Sequence, residues 1–135
     1  MKTVVALVTG GFTGEYVISL RTANTIEEHL DPERFEVYRI VIESHSWHYI
    51  DKFTGQKHEI NRNNFTLQIK NQTIGFNIVF MALHGSPGED GKLQGYFDML
   101  NIPYTTCDAT TSAITMNKGY TKAIVADIPQ LHVAR

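Results

Sequence analysis

Two short polar stretches in this 135-residue chain carry the residue types from which a site could be built, and each follows directly on an apolar run. The first, Gly10-Gly11-Phe12-Thr13-Gly14-Glu15, comes after Thr3 to Thr9. The second, His84-Gly85-Ser86-Pro87-Gly88-Glu89-Asp90-Gly91, comes after Ile78 to Leu83. Glycines let a chain turn tightly and let its backbone approach a ligand. If both apolar runs are parallel strands, both stretches lie beyond strand carboxyl ends, where open sheets bind ligands. The expectation is a cleft lined by Glu15, His84 and Glu89. Each residue also has a plainer role open to it. Glu15 at a helix start could do no more than complement the helix dipole, an effect of about 0.3–1 kcal/mol. His84 and Glu89 could be a hydrogen-bonded pair that only shapes the loop. No metal is expected, because one histidine among carboxylates lacks the spacing of a zinc motif. His45 and His48 lie in a polar stretch and read as solvated surface.

The elements that must position these residues are legible in parts. Thr3 to Thr9 is almost continuously apolar, as befits a parallel strand covered on both faces. From Glu15 the pattern turns helical. Val17, Leu20, Ala23, Ile26 and Leu30 recur at steps of three and four, which places them along one face. Asp31-Pro32 stops that helix, since the residue before a proline is pushed out of helical angles. Arg34 to Ile42 reads as a second strand, so the opening is the β-α-β unit of a parallel sheet. Right-handed crossovers then predict Val4–Val8, Val37–Ile42 and Ile78–Leu83 as adjacent parallel strands, with Glu15 and His84 at one edge.

Between Glu43 and Gly75 the pattern is weaker. Trp47 to Ile50 and Thr66 to Ile69 fit short strands, Thr54-Gly55 a turn, and Asn61 to Asn64 an exposed loop. After the second polar stretch a helix carries Leu93, Phe97 and Leu100 on one face, and Tyr104-Thr105 is a short last strand. Asp108 caps a brief helix through Ala113, and Met116 to Ala126 forms another. Leu131 to Val133 begins a strand without a partner, which reads as truncation. The expected fold class is α/β: a Rossmann-like open parallel sheet flanked by helices.

Composition narrows the function. Twelve Lys and Arg against fourteen Asp and Glu, with no basic block, favour neither nucleic acid nor a membrane surface as partner. Cys107 is the single cysteine and cannot close an internal disulfide. The apolar start is short and runs into glycines and Glu15 rather than a cleavage site, so it is not read as a signal peptide. No apolar run is long enough to span a bilayer. A cytoplasmic location is expected.

Three ordered signatures together resemble the D-alanine–D-alanine ligase family. The first is Gly10-Gly11-Phe12-Thr13-Gly14-Glu15-Tyr16-Val17-Ile18-Ser19-Leu20. The second joins Ala82-Leu83-His84-Gly85, Gly88-Glu89-Asp90-Gly91 and Gln94-Gly95. The third is Ile102-Pro103-Tyr104-Thr105, then Ser112-Ala113 and Met116-Asn117-Lys118. The Glu43 to Gly75 region carries none of the resemblance. Tyr16, Val17, Asn117 and Asp127 depart from the family's usual residues, and Asn117 stands where an aspartate normally supports the lysine that follows.

The resemblance implies ATP-dependent joining of two D-alanines through an acyl phosphate, for peptidoglycan precursors. It implies that Glu15 holds the ammonium of the first D-alanine, that Ile18 and His84 lie beside that substrate, and that Glu89 orients the loop. Lys118 matches a lysine that contacts nucleotide phosphate. Residues 1–107 would be the substrate-binding domain and 108–135 an incomplete start of the ATP-grasp region. The magnesium ligands and most of the ATP site are expected beyond this chain, which would be inactive alone. A homodimer is expected, with Trp47 and Tyr49 as contributors. The other readings are a D-alanine–D-lactate ligase and a non-catalytic α/β binding domain.

Overall fold

Strand β1 (Thr3–Gly10) sorts its side chains between two cores in the computed structural model, which describes residues 1–133. Ala6 and Val8 join one cluster and Leu7 the other, as the two-residue period of a strand requires. β1 lies between β2 (Phe35–Ile42) and β7 (Ile78–Met81) and runs parallel to both. The expected parallel core is therefore present. Tyr104 adds a single parallel bridge to Val79, the remnant of the expected last strand.

The sheet continues past β2 through β3 (Trp47–Ile50), β4 (Lys57–Asn61), β5 (Thr66–Ile69) and β6 (Gln72–Ile74), all antiparallel to their neighbours. The full order is β6-β5-β4-β3-β2-β1-β7. The middle region is thus an antiparallel extension of the parallel core. Its β3 and β5 match the expected short strands. β4 and β6 left no apolar run to read, because β4 buries only Ile60 and β6 buries nothing.

Helices cover both faces. α2 (Lys92–Met99) sets Leu93 and Phe97 against Ile40, Ile42, Phe65, Leu67 and Val79. Phe65 meets Phe97 edge-on at 4.8 Å, a favoured aromatic geometry. Trp47 packs on Tyr96 at 5.3 Å, and Tyr49 is buried in the same core. Tyr49 is therefore taken up by the chain's own core, whereas Trp47 is only partly buried. On the other face α1 (Tyr16–His29) packs Ala23 and Ile26 against Leu7 and Ala82. Its buried residues are Ser19 and Ala23, whereas Val17 is exposed. The expected stripe of Leu20, Ala23, Ile26 and Leu30 thus begins with Ser19 rather than Val17, two positions further on, because the helix turns that serine toward the sheet.

Two short helices follow. Asp108 caps α3 (Ala109–Met116), accepting the Thr111 N–H at 2.7 Å. α4 (Lys118–Val125) is separate from it, since Asn117 is extended and caps the second helix through the Tyr120 N–H at 3.1 Å. Asparagine caps about as well as aspartate, so this local support survives the departure at Asn117. Leu131 to Val133 is exposed and forms no strand, contrary to expectation, because it meets no sheet edge. Among the described residues no helix is long and apolar enough to cross a membrane.

Candidate functional site

The carboxyl ends of β1 and β7 bring the two polar stretches into backbone contact. Gly10 has φ +96°, and a Cβ there would lie 2.5 Å from the Ile42 carbonyl oxygen, so only glycine fits at the end of β1. The Gly11 N–H donates to that same carbonyl at 2.8 Å, and the Phe12 N–H donates to the Ser86 carbonyl at 2.9 Å. The first loop is thereby tied to β2 and to the second loop at once.

Glu15 stands at the head of α1. Its side chain makes no capping bond and no ion pair among the described residues, and it is exposed. Ser19, one turn later and fully buried, joins it to His84. Its N–H and its hydroxyl both donate to the Glu15 carbonyl, at 2.9 and 3.2 Å, and its Oγ accepts the His84 N–H at 2.9 Å. Thr22 lies within hydrogen-bond distance of the imidazole, its Oγ1 3.0 Å from His84 Nε2. Glu15, Ile18, Ser19 and Thr22 therefore share one stripe of α1, spaced by three and four residues. Ile18 is 48% exposed, which leaves it free for contact with a bound molecule.

The second loop is held from within. Glu89 accepts the Gly85 N–H at 2.7 Å, so it shapes the loop that carries His84. The buried Gln94 donates to the Gly88 carbonyl at 2.6 Å. Asp90 accepts from the Ser86 hydroxyl at 2.6 Å and from Lys92 Nζ at 2.7 Å. Burial alone would raise the Asp90 carboxyl's pKa, but these donors outweigh it and hold it below the ordinary value.

The segments that carry Glu15, Ile18, His84 and Glu89 thus lie at the carboxyl ends of β1 and β7, linked by backbone hydrogen bonds. The expected common cleft is not formed by their side chains, however: Glu89 lines a separate hollow with Gln94, Thr106 and Ser112. Lys118 stands apart, exposed at the first residue of α4, with no hydrogen bond or ion pair among the described residues. Ser19, Thr22, Gln94 and Asp90 were not expected to contribute. Ser19 and Gln94 lie inside the quoted signatures, yet nothing local marks a serine or a glutamine as buried. Among the described residues no group of three or more His, Cys, Asp or Glu side chains converges on a metal position.

The family model described as the D-ala D-ala ligase N-terminus matches residues 4–107, which contain both loops and every strand. The chain belongs to that family. A D-alanine–D-alanine ligase of Phocaeicola vulgatus is 41% identical over 118 residues, covering 87% of this chain and 36% of the relative. The chain therefore spans about a third of the length of that ligase. The ligase structure from Aeromonas hydrophila superposes with a TM-score of 0.83 at 29% identity, over 99% of this chain and 49% of that one. The Bacillus anthracis ligase complexed with ATP gives a TM-score of 0.69 at 25% identity, over 93% and 35% of the respective chains. The ligase N-terminal fold thus spans the antiparallel extension as well as the signature loops.

Proposed function

We propose that this chain is the D-alanine-binding portion of an ATP-dependent D-alanine–D-alanine ligase that supplies peptidoglycan precursors in the cytoplasm. The observation that carries this reading is the exposed Glu15, whose carboxylate has no partner among the described residues while its backbone carbonyl is linked through Ser19 to the His84 N–H. A carboxylate so placed holds a substrate ammonium by a charge-assisted hydrogen bond and fixes the orientation of the rest of the molecule. Ile18 and the His84 ring flank that substrate, and Glu89 keeps the loop in register through the Gly85 N–H. In the reaction the carboxylate of one D-alanine is activated as an acyl phosphate, with ATP as phosphoryl donor. The amine of a second D-alanine attacks it and phosphate leaves.

Lys118 offers a compact cation to a nucleotide phosphate, and Asn117 fixes the start of its helix. One exposed lysine supports a phosphate contact but not a nucleotide site, since association costs about 4–15 kcal/mol. Residues 108–135 are accordingly assigned to the beginning of an ATP-binding region, and the magnesium ligands to the rest of the enzyme. The chain by itself is expected to be inactive, and the assembled enzyme to be a homodimer.

Glu15→Gln in the complete ligase tests the assignment. Removing the charge is expected to cost about 1.5–3 kcal/mol, raising the KM for the first D-alanine roughly ten- to a hundredfold while the second site changes little. Unchanged kinetics at both sites would reduce Glu15 to a helix-end carboxylate. Competition of D-lactate with D-alanine in the same assay decides which acceptor the enzyme prefers.

A further inference from the structure

A groove of about 690 Å³ lies between α1 and the β2–β3 pair, away from the His84 loop. That size falls within the roughly 300–1,000 Å³ typical of small-molecule sites. Its apolar walls include Leu20, Val41 and Ile50, and its polar groups include Arg39, Lys52 and His48. His48 is buried rather than solvated, which corrects the expectation for that residue. It lies opposite Val41 on the antiparallel partner strand, which places Arg39 diagonally across on the same face.

Hydrogen bonding determines what His48 presents to the groove. The Ser46 hydroxyl donates to Glu59 at 2.8 Å, so its oxygen must accept from His48 Nδ1, also at 2.8 Å. The ring is therefore protonated at Nδ1, and Nε2 carries a lone pair with no partner among the described residues. Burial, reinforced by Lys57, lowers the ring's pKa and favours this neutral form.

Arg39 and Lys52 present the complementary chemistry. Both pair with Glu27, a carboxylate that also lines the groove, so a bound carboxylate would share these two cations with it. A guanidinium has five donors, and only one nitrogen of Arg39 is engaged, while Lys52 stays half exposed. Asp51 also lines the groove, but its carboxylate is occupied by the Phe53 and Thr54 N–H groups of its own turn. The groove thus offers cationic donors on Arg39 and Lys52, a neutral acceptor on His48 diagonally across the β2–β3 pair from Arg39, and apolar walls.

We propose that this groove is a second ligand site, distinct from the D-alanine site, for a small amphipathic carboxylate that also carries a hydroxyl group. The carboxylate sits on Arg39 and Lys52, the apolar body lies against Leu20, Val41 and Ile50, and the hydroxyl donates to His48 Nε2. A hydroxyl can donate its one hydrogen to this acceptor without placing a charge in the buried end of the groove.

The test is a titration of the isotope-labelled protein followed by amide NMR shifts, with 4-hydroxyphenylacetate as probe. Saturable shifts confined to residues around Leu20, Val41 and His48 are expected. Two analogues check the two polar anchors: 4-methylphenylacetate lacks the donor and 4-hydroxyphenylacetamide lacks the charge. Each is expected to bind about tenfold more weakly, the loss of one good hydrogen bond. His48→Phe should abolish the preference for the hydroxyl while leaving the preference for the charge. No saturable shift at millimolar probe, equal affinity for all three compounds, or shifts centred elsewhere would each overturn the proposal. None of these outcomes bears on the ligase reading, which is tested at Glu15.

Discussion

Ser19 shows how one small side chain can hold a site together without touching a ligand. It is fully buried at the first turn of α1, where it accepts the backbone N–H of His84 and donates to the carbonyl of Glu15. Ser19→Ala would leave the His84 N–H without a partner in a buried position. A buried orphan donor costs about 1–3 kcal/mol, against which the better helix propensity of alanine returns only about 0.5 kcal/mol. A net loss of roughly 1–2 kcal/mol in urea unfolding is therefore expected, together with an altered His84 amide shift. A variant as stable as the parent would mean that water replaces the hydroxyl and that the link is dispensable.

At the scale of elements, the two loops fit because neither has bulk where they meet. Gly85 has φ +74°, and a Cβ there would lie 2.7 Å from Thr13 Oγ1. Gly85→Ala combines left-handed strain with a clash and should destabilise by about 1–3 kcal/mol. Adding Thr13→Ala should recover only the part due to the clash, a distinction that denaturant melts of the two variants would resolve. Complete recovery would show that backbone strain contributes nothing. The lock made by Ser86, Asp90 and Lys92 adds a pH dependence. Because the folded Asp90 pKa is lowered below 3.8, its stabilisation is full above that value and is lost as pH falls through the lower folded pKa. Asp90→Asn should thus cost about 1 kcal/mol or less near neutral pH, since the ion pair is solvent-screened, and progressively less at about pH 3. A cost that stays constant over that range would mean the charge has no part in it.

Across the whole molecule, stability should be unequal. The sheet core is closed by fully buried Ala6, Leu7, Val8, Ile40, Val79 and Phe97. In contrast α4 buries nothing, and Tyr120 and Ile124 are 65% and 60% exposed. Elements with few buried contacts open locally without unfolding the rest. Hydrogen exchange should find β1 amides protected to the level of global unfolding and the amides of Lys118 to Val125 exchanging far faster. Equal protection in the two segments would contradict this picture. Lys118 would then be presented on a rigid element, whereas the fold places it on a helix that buries no residue.

Local signals were enough to read the three parallel strands, the start of α1, the Asp108 cap and the loops bearing Glu15 and His84. Each depends on neighbours in the chain: an apolar run, a helical spacing, a glycine pair, a side chain three residues before an N–H. The short strands at Trp47 and Thr66 were legible for the same reason. What tertiary structure alone decided depends on residues far apart. Ser19 and His84 are separated by 65 positions, so the burial of a serine could not be read from its surroundings in the sequence. β4 became a strand through pairing with β3 and β5 rather than through its own polar sequence. His48, read as solvated from its polar neighbours, is buried because β3 is an interior strand that pairs it with Val41 on one side and Glu59 on the other, and only that pairing makes it part of a groove wall.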